Sequence, residues 1–425
     1  MFSLIFILTS LLTDTASTEV SVQGTFGQST MAITGIQNGG FAIDAHAVYD
    51  FSNQSATGTN PRHRVFGEAS YTCNESKGNQ WVENSDYERL YPMLTCDTVG
   101  GDMHTEDYHF RGGYRMIKPI AGNHADAFIW HVGLAYSARQ SYRTVDPRPR
   151  NKVANLQADV SVGFAAKGHA FSWLLHAGRY KQNNDVKFYS ELGEAMVYHL
   201  ITTDSEYARF NSFKSAYYHG YDVGIGFMVQ PELRGFIAGI NYDYSAITKE
   251  LSSSTAIPIS TLRTHNTSAI FGYHTPVWHV AAEAILQYRG VWQSVYGNAA
   301  NNTYTLLVKE QRYAEQWYRV AVSGGYTLGL PVGKMTFAAD ASYQATHIRQ
   351  QSGSARFTAL SEELLSPQIG IDASVRYAFP LLKKENSKPR KLNLQFFIKP
   401  AAAYSLYNKT THQRWQVVLH AGICF

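Results

Sequence analysis

The chain has 425 residues, with 37 Lys and Arg against 33 Asp and Glu and a formal charge of +4 at pH 7. So slight an excess, spread along the chain, gives no ground to expect a nucleic-acid partner. No internal run of about 20 apolar residues is present, which excludes a membrane-spanning helix.

In chain order, an apolar segment at 2–12 is followed by small and polar residues at 14–17. This reads as a secretory signal peptide, residues 1–17, cleaved near Ala16. No Lys or Arg precedes the apolar core, so a start site placed slightly late, or an apolar tail on the first strand, is the alternative. From a strand near Glu19 onward, the chain repeats with period two. Leu156, Val160, Val162 and Phe164 alternate with Gln157, Asp159, Ser161 and Gly163. Tyr221, Val223 and Ile225 alternate with Asp222, Gly224 and Gly226. The same alternation recurs at 235–244, 278–289 and 335–344. It closes the chain, where Trp415, Val417, Leu419, Ala421, Ile423 and Phe425 oppose Gln416, Val418, His420, Gly422 and Cys424.

Successive side chains in a strand face opposite sides, so every such segment has one oily and one small or polar face. Lys is nearly absent from the polar face, which suits a barrel lumen better than an open water-facing surface. The 28 Tyr, 22 Phe and 7 Trp supply residues for aromatic girdles at two membrane interfaces. Short turns at 165–169, 230–233, 274–277 and 329–333 alternate with longer segments. These lie near 75–102, 143–152, 183–215, 248–259, 293–303 and 350–365. Short periplasmic turns and long extracellular loops are the wiring of outer-membrane barrels. The expected fold is all-β: a single transmembrane up-and-down antiparallel β-barrel over residues 18–425. It has about sixteen strands, with fourteen as the alternative because the N-terminal third is least clear. The location is the bacterial outer membrane, with lipid bilayer and lipopolysaccharide as surroundings. The charge run at 383–391 falls on a periplasmic turn.

Parity assigns a set of charges to the lumen: Asp159, Asp222, Asp243, Glu283, Arg289, Asp340, Asp372 and Arg376, with Asp44, Arg111, Arg115 and Arg319. Either they set the selectivity of a pore, or they form a lattice of ion pairs that fills it. On the expected loop VDPRPRN at 145–151, two prolines stiffen the backbone. Asp146, Arg148 and Arg150 then grip an anionic ligand or lipopolysaccharide phosphates, or clamp an acidic neighbour such as Asp185 or Glu191. The string KQNNDVKF at 181–188 opens a long loop. Lys181, Asn183, Asn184 and Asp185 there suit turns or a sugar, while calcium needs more oxygens than are at hand. The segment 75–102, with Trp81, Tyr87, Tyr91 and Pro92, is aromatic enough to fold into the barrel mouth as a lid or plug. Cys73 and Cys96 flank it, either bridged or as unpaired thiols.

No G-x-S-x-G, H-E-x-x-H, P-loop or paired-cysteine motif occurs, and the 16 His are scattered; no enzyme, metal or cofactor is expected. The strings DTVGGD at 97–102, VDPRPRN at 145–151, KQNNDVKF at 181–188, ELG at 191–193 and YARF at 207–210 resemble a family of Bacteroidota outer-membrane β-barrels. That family is described only as a domain of unknown function. The resemblance implies an accessory component of TonB-dependent uptake. The expected role is a porin-like channel or accessory component for passage or capture of a small solute or nutrient. The alternative is a non-conducting barrel that docks a TonB-dependent receptor or a surface lipoprotein, with an outer-membrane enzyme as the third reading.

Overall fold

A computed structural model describes residues 18–29, 37–50, 61–80, 82–120, 123–190, 193–202, 205–207, 210, 212–231, 233–251, 256–297, 304–351, 365, 367–380, 395–407 and 412–424. The first half holds β1 (Thr18–Ser29), β2 (Gln37–Asp50), β3 (Arg62–Asn79), the single-turn helix α1 (Tyr87–Leu90), β4 (Thr95–Cys96), β5 (Gly101–Ile120), β6 (Asn123–Tyr142), β7 (Arg148–Ala166), β8 (His169–Lys187), β9 (Tyr198–Thr202) and β10 (Ser205–Glu206). The second half holds β11 (Ala216–Pro231), β12 (Gly235–Leu251), β13 (Ile257–His274), β14 (Trp278–Tyr296), β15 (Leu306–Leu330), β16 (Gly333–Gln351), β17 (Gln368–Pro380), β18 (Gln395–Tyr407) and β19 (His412–Cys424).

Sixteen strands close into one antiparallel barrel, each beside its sequence neighbour except where β5 follows β3 and β11 follows β8. Closure joins β1 to β19, with Glu19 opposite Cys424 and Phe26 opposite Val417. The expected fold class is therefore found, and with β1–β3 all in the wall the count is sixteen rather than fourteen. The segments 1–17 and 383–391, with Trp81, Glu191 and Phe425, lie outside the described residues.

Period-two patterning becomes two surfaces. Val160 is 48% exposed and Leu419 57%, while Asp159 and Ser161 beside Val160 are buried. An apolar belt facing out from a closed sheet, whose first and last strands β1 and β19 pair with each other, fits a lipid surround and leaves no open edge in it. The protein is accordingly an outer-membrane β-barrel. At the periplasmic end Phe164 stacks on Phe171, and Trp173 lies 5.2 Å from Phe227. Tyr136, Tyr221, Tyr318 and Tyr343 mark the outer boundary. The β7–β8 hairpin turns on Lys167 and Gly168, both at positive φ (51° and 75°), the geometry whose twist matches that of the flanking strands.

The wall runs further outward than the sequence suggests. β8 continues to Lys187 and β7 begins at Arg148, so KQNNDVK is strand and the VDPRPRN loop shrinks to residues 143–147. The segment expected at 75–102 narrows to 80–100, because β3 reaches Asn79 and β5 starts at Gly101. The cause is tertiary. Gln182, Asn184 and Val186 are buried against inserted chain, and that burial overrides the turn preference of Asn and Asp.

Candidate functional site

The described residues of the two connections that break the sequential order, 80–100 and 188–215, fold into the outer mouth. There β4, β9 and β10 form a small antiparallel sheet inside the barrel. Leu90, Met93, Leu94, Leu200 and Phe210 are fully buried in one cluster with Tyr180, Tyr218, Ile247, Leu251, Leu262, Val291 and Tyr313 of the wall. Each such side chain contributes about 1.5–3 kcal/mol by leaving water. The expected mouth plug is present, and it consists of two segments rather than one.

Polar groups fasten the plug to the wall. Lys249 Nζ donates to the Leu94 carbonyl at 2.6 Å, Tyr218 donates to the Met93 carbonyl at 3.1 Å, and Thr95 Oγ1 lies 2.9 Å from the same hydroxyl. Tyr91 and Tyr313 hydroxyls meet at 3.0 Å. Arg89 of α1 reaches Asp222 at 3.1 Å and lies over the Tyr180 ring. Asn151 Nδ2 donates to the Glu83 carbonyl at 2.6 Å, while Asn184 and Gln182 donate to Asn151 Oδ1, each at 2.9 Å. The amides of VDPRPRN and KQNNDVKF therefore act as a plug socket.

The DTVGGD string is a clamped turn. Asp97 Oδ1 accepts from the Val99 and Gly100 amides, both at 2.7 Å, and its Oδ2 takes Arg143 Nη1 at 2.9 Å. Arg143 Nη1 also donates to the Gly100 carbonyl at 2.9 Å. Gly100 sits at φ +74°, where an added Cβ would lie 2.4 Å from the Asn79 carbonyl oxygen. Nearby, burial and then the Asp97 charge push the Glu83 carboxyl well above its usual range. Burial likewise raises the Cys96 thiol. His199 donates from Nε2 to the Phe213 carbonyl at 2.7 Å; burial, with Lys249 adding, lowers its pKa to about 3, so it is neutral at physiological pH.

Within VDPRPRN, Asp146 accepts the Tyr189 and Ser190 amides, each at 2.6 Å. Those two amides and the guanidinium of Arg148 hold the carboxyl below its ordinary value. Arg148 lies 2.7 Å from Asp146 and over the Tyr189 ring. Its carboxylate is thus Asp146 of its own motif and not Asp185, which instead accepts Ser215 Oγ at 2.8 Å. Arg150 stands opposite Asp185 in register but is exposed. Lys181 and Asn183 are exposed while Asn184 is buried. Strand parity therefore divides these side chains between two faces of the wall.

Many of the lumen charges sit in pairs or in groups of three. Asp159 Oδ2 is 2.8 Å from His131 Nε2, which stacks on Phe66. His176 Nε2 lies between Asp243 at 3.2 Å and Asp222 at 3.8 Å. Arg319 bridges Glu283 at 3.4 Å and Asp340 at 3.6 Å, with Asp372 opposite Asp340 in register. Arg289 faces Glu315 at 3.8 Å, and Arg376 faces Glu19 at 3.2 Å. Cys73, Cys96 and Cys424 are free thiols. His131, His176, Arg89, Arg143 and Lys249 were not singled out from sequence. Parity alone puts the two histidines on the polar face, but their partners depend on register between strands.

A closed sixteen-strand wall with an inserted two-segment plug defines a plugged outer-membrane β-barrel. Residues 37–361 match the model of a family of unknown function, DUF6850, and the chain belongs to that family. No curated protein matches it. Among solved structures, CdiB from Acinetobacter baumannii is similar at 10% identity and TM-score 0.41, over 97% of this chain and 60% of that one. A Pseudomonas aeruginosa FadL homologue gives 10% and 0.41, covering 96% and 89%. The FrpB iron transporter from Neisseria meningitidis gives 8% and 0.35, covering 98% and 82%. The chain thus spans about three fifths of the CdiB chains it matches.

Proposed function

We propose that this barrel serves the passage or capture of a small polar solute, with the plug narrowing the outer mouth. The supporting observation is the lumen wall away from the plug. Glu283, Arg319, Asp340, Glu19 and Arg376 keep side-chain exposures of 13–38%, so a hydrated lining of both signs runs beside an apolar plug. A lining of alternating sign favours zwitterionic or neutral polar solutes over ions of one charge. The test is planar-bilayer conductance and liposome swelling with small sugars, on the intact barrel and on a variant with residues 84–94 replaced by a Gly-Ser linker. A small conductance that rises severalfold in the variant is expected; two sealed barrels would refute the proposal.

A second reading is a docking barrel whose partner is a TonB-dependent receptor or a surface lipoprotein. It is favoured by apolar residues exposed at the outer rim: Val145 (66%), Tyr189 (63%) and Leu307 (65%). Purification from native membranes in mild detergent tests it, and recovery of the barrel alone counts against it.

A further inference from the structure

We propose that the outward faces of β7 and β8 bind the phosphate groups of lipid A, the membrane anchor of lipopolysaccharide in the outer leaflet. This inference is independent of solute passage. Arg150 and Lys152 on β7 and Arg179 and Lys181 on β8 are all exposed, and they share the parity of Leu156, Val160 and Leu175 on the lipid side. Lys152 is opposite Asn183, and Lys181 is opposite Ala154. The two ammonium groups therefore rise from diagonal positions about 7–8 Å apart. Arg150 continues the column outward and Arg179 continues it toward the membrane, each two residues further along its strand.

Height in the membrane selects the ligand. Arg179 is opposite Leu156 and Tyr221, and Leu156 is opposite Tyr136. The lowest cation thus lies level with the tyrosine girdle, where lipid headgroups begin. The other three stand above it, and an unbroken apolar surface lies below. That sequence, acyl-compatible wall and then clustered cations, matches an anionic amphiphile from end to end. A soluble anion would use only the upper half.

The cations are also uncommitted. Among the described residues none of the four is in a salt bridge; on the same face Asp185 is held by Ser215 and lies 3.9 Å from Lys187. Nor is the basic surface a general property of the rim. Following the register across β6, Lys152 leads to Gln140 and then to Glu106 of β5. Beyond it, Glu75 of β3 faces His104. The wall turns acidic within two strands, so phosphates are drawn to one face.

The test compares the intact barrel with the variant K152Q/R179Q/K181Q, in detergent, for binding of bisphosphorylated lipid A. Removing three charges at a membrane surface is expected to weaken binding by about tenfold to 100-fold. The control R263Q removes an outward arginine stacked on Trp292 and leaves binding unchanged. Equal loss in R263Q, or none in the triple variant, would overturn the proposal. A second measurement needs no variant: acylation of Lys152 and Lys181 in the native barrel, read by mass spectrometry. Lipid A vesicles should protect both lysines. Equal protection by phosphatidylglycerol vesicles or by inorganic phosphate would refute lipid A as the ligand.

Discussion

Replacing Arg143 by Met should release the first plug segment while leaving the barrel folded. The guanidinium and the Asp97 carboxylate it contacts at 2.9 Å are both essentially inaccessible, with side-chain exposures of 1% and 0%. Removing one partner of such a pair leaves the other charge buried and uncompensated, at a cost of about 3–5 kcal/mol. The Gly100 carbonyl loses its side-chain donor as well, a further cost of about 1 kcal/mol. The cost falls on residues 80–100 and not on the wall, whose ladder does not pass through this turn. The opening equilibrium of the segment should therefore rise by a factor on the order of 10³–10⁴. Hydrogen exchange of the Val99, Gly100 and Leu90 amides reads that factor directly, and resistance of the barrel to unfolding in cold detergent serves as the control. Combining R143M with D97N should recover much of the loss, because no unpaired charge remains. Unchanged exchange in R143M, or a double variant no better than the single one, would refute the assignment of the pair as the clamp.

The plug should respond to pH through two groups of opposite sign. His199 has a folded pKa of about 3 against about 6.5 unfolded, so its contribution is lost as pH falls from 6.5 to 3, by up to about 1.4 kcal/mol per unit. Glu83, raised when folded, contributes in the other direction above its unfolded value. E83Q should therefore begin to lose plug protection near pH 6.5 and the wild type at lower pH, measured by proteolysis of the 188–215 segment across pH 4–7. Coincident profiles would contradict the burial of these two groups. G100A forces a Cβ to within 2.4 Å of a carbonyl oxygen at positive φ. A loss of at least about 1–3 kcal/mol, seen as faster exchange at Asn79 and Gly101, is expected. V160R puts a guanidinium midway between the aromatic rows and should cost about 2–4 kcal/mol of folding into bilayers. Equilibrium denaturation in vesicles checks this, and an S161A variant on the opposite face should not share that cost.

The wall was readable because the barrel obeys a local rule. Whether Val160 meets lipid and Asp159 the lumen depends only on counting by two, and every strand repeats the count. Hairpin turns at 167–168 and 331–332 were equally local. Strand ends were not, because Gln182 and Asn184 continue β8 on account of what they touch, Asn151 and through it Glu83, residues brought near only when the plug inserts. The same limit hid the partners of the lumen charges. Asp159 announces a buried acid, but that His131, 28 residues earlier in the chain, meets it diagonally follows from the register between β6 and β7.

Parity also changes what the polar strings at 145–151 and 181–188 present. Read as loops, their Arg, Lys and Asn side chains have no fixed facing. Once the segments are strands, consecutive residues diverge: Asn151, Gln182 and Asn184 turn inward to hold the Glu83 carbonyl, while Arg150, Lys152, Lys181 and Asn183 turn outward. One stretch of sequence thus serves two solvents, fastening the plug on one side and meeting the headgroup layer on the other. A one-residue deletion between Asn151 and Ala154 would turn Asn151 outward and place Arg150 in the socket, so the spacing of this string is constrained from both faces of the wall.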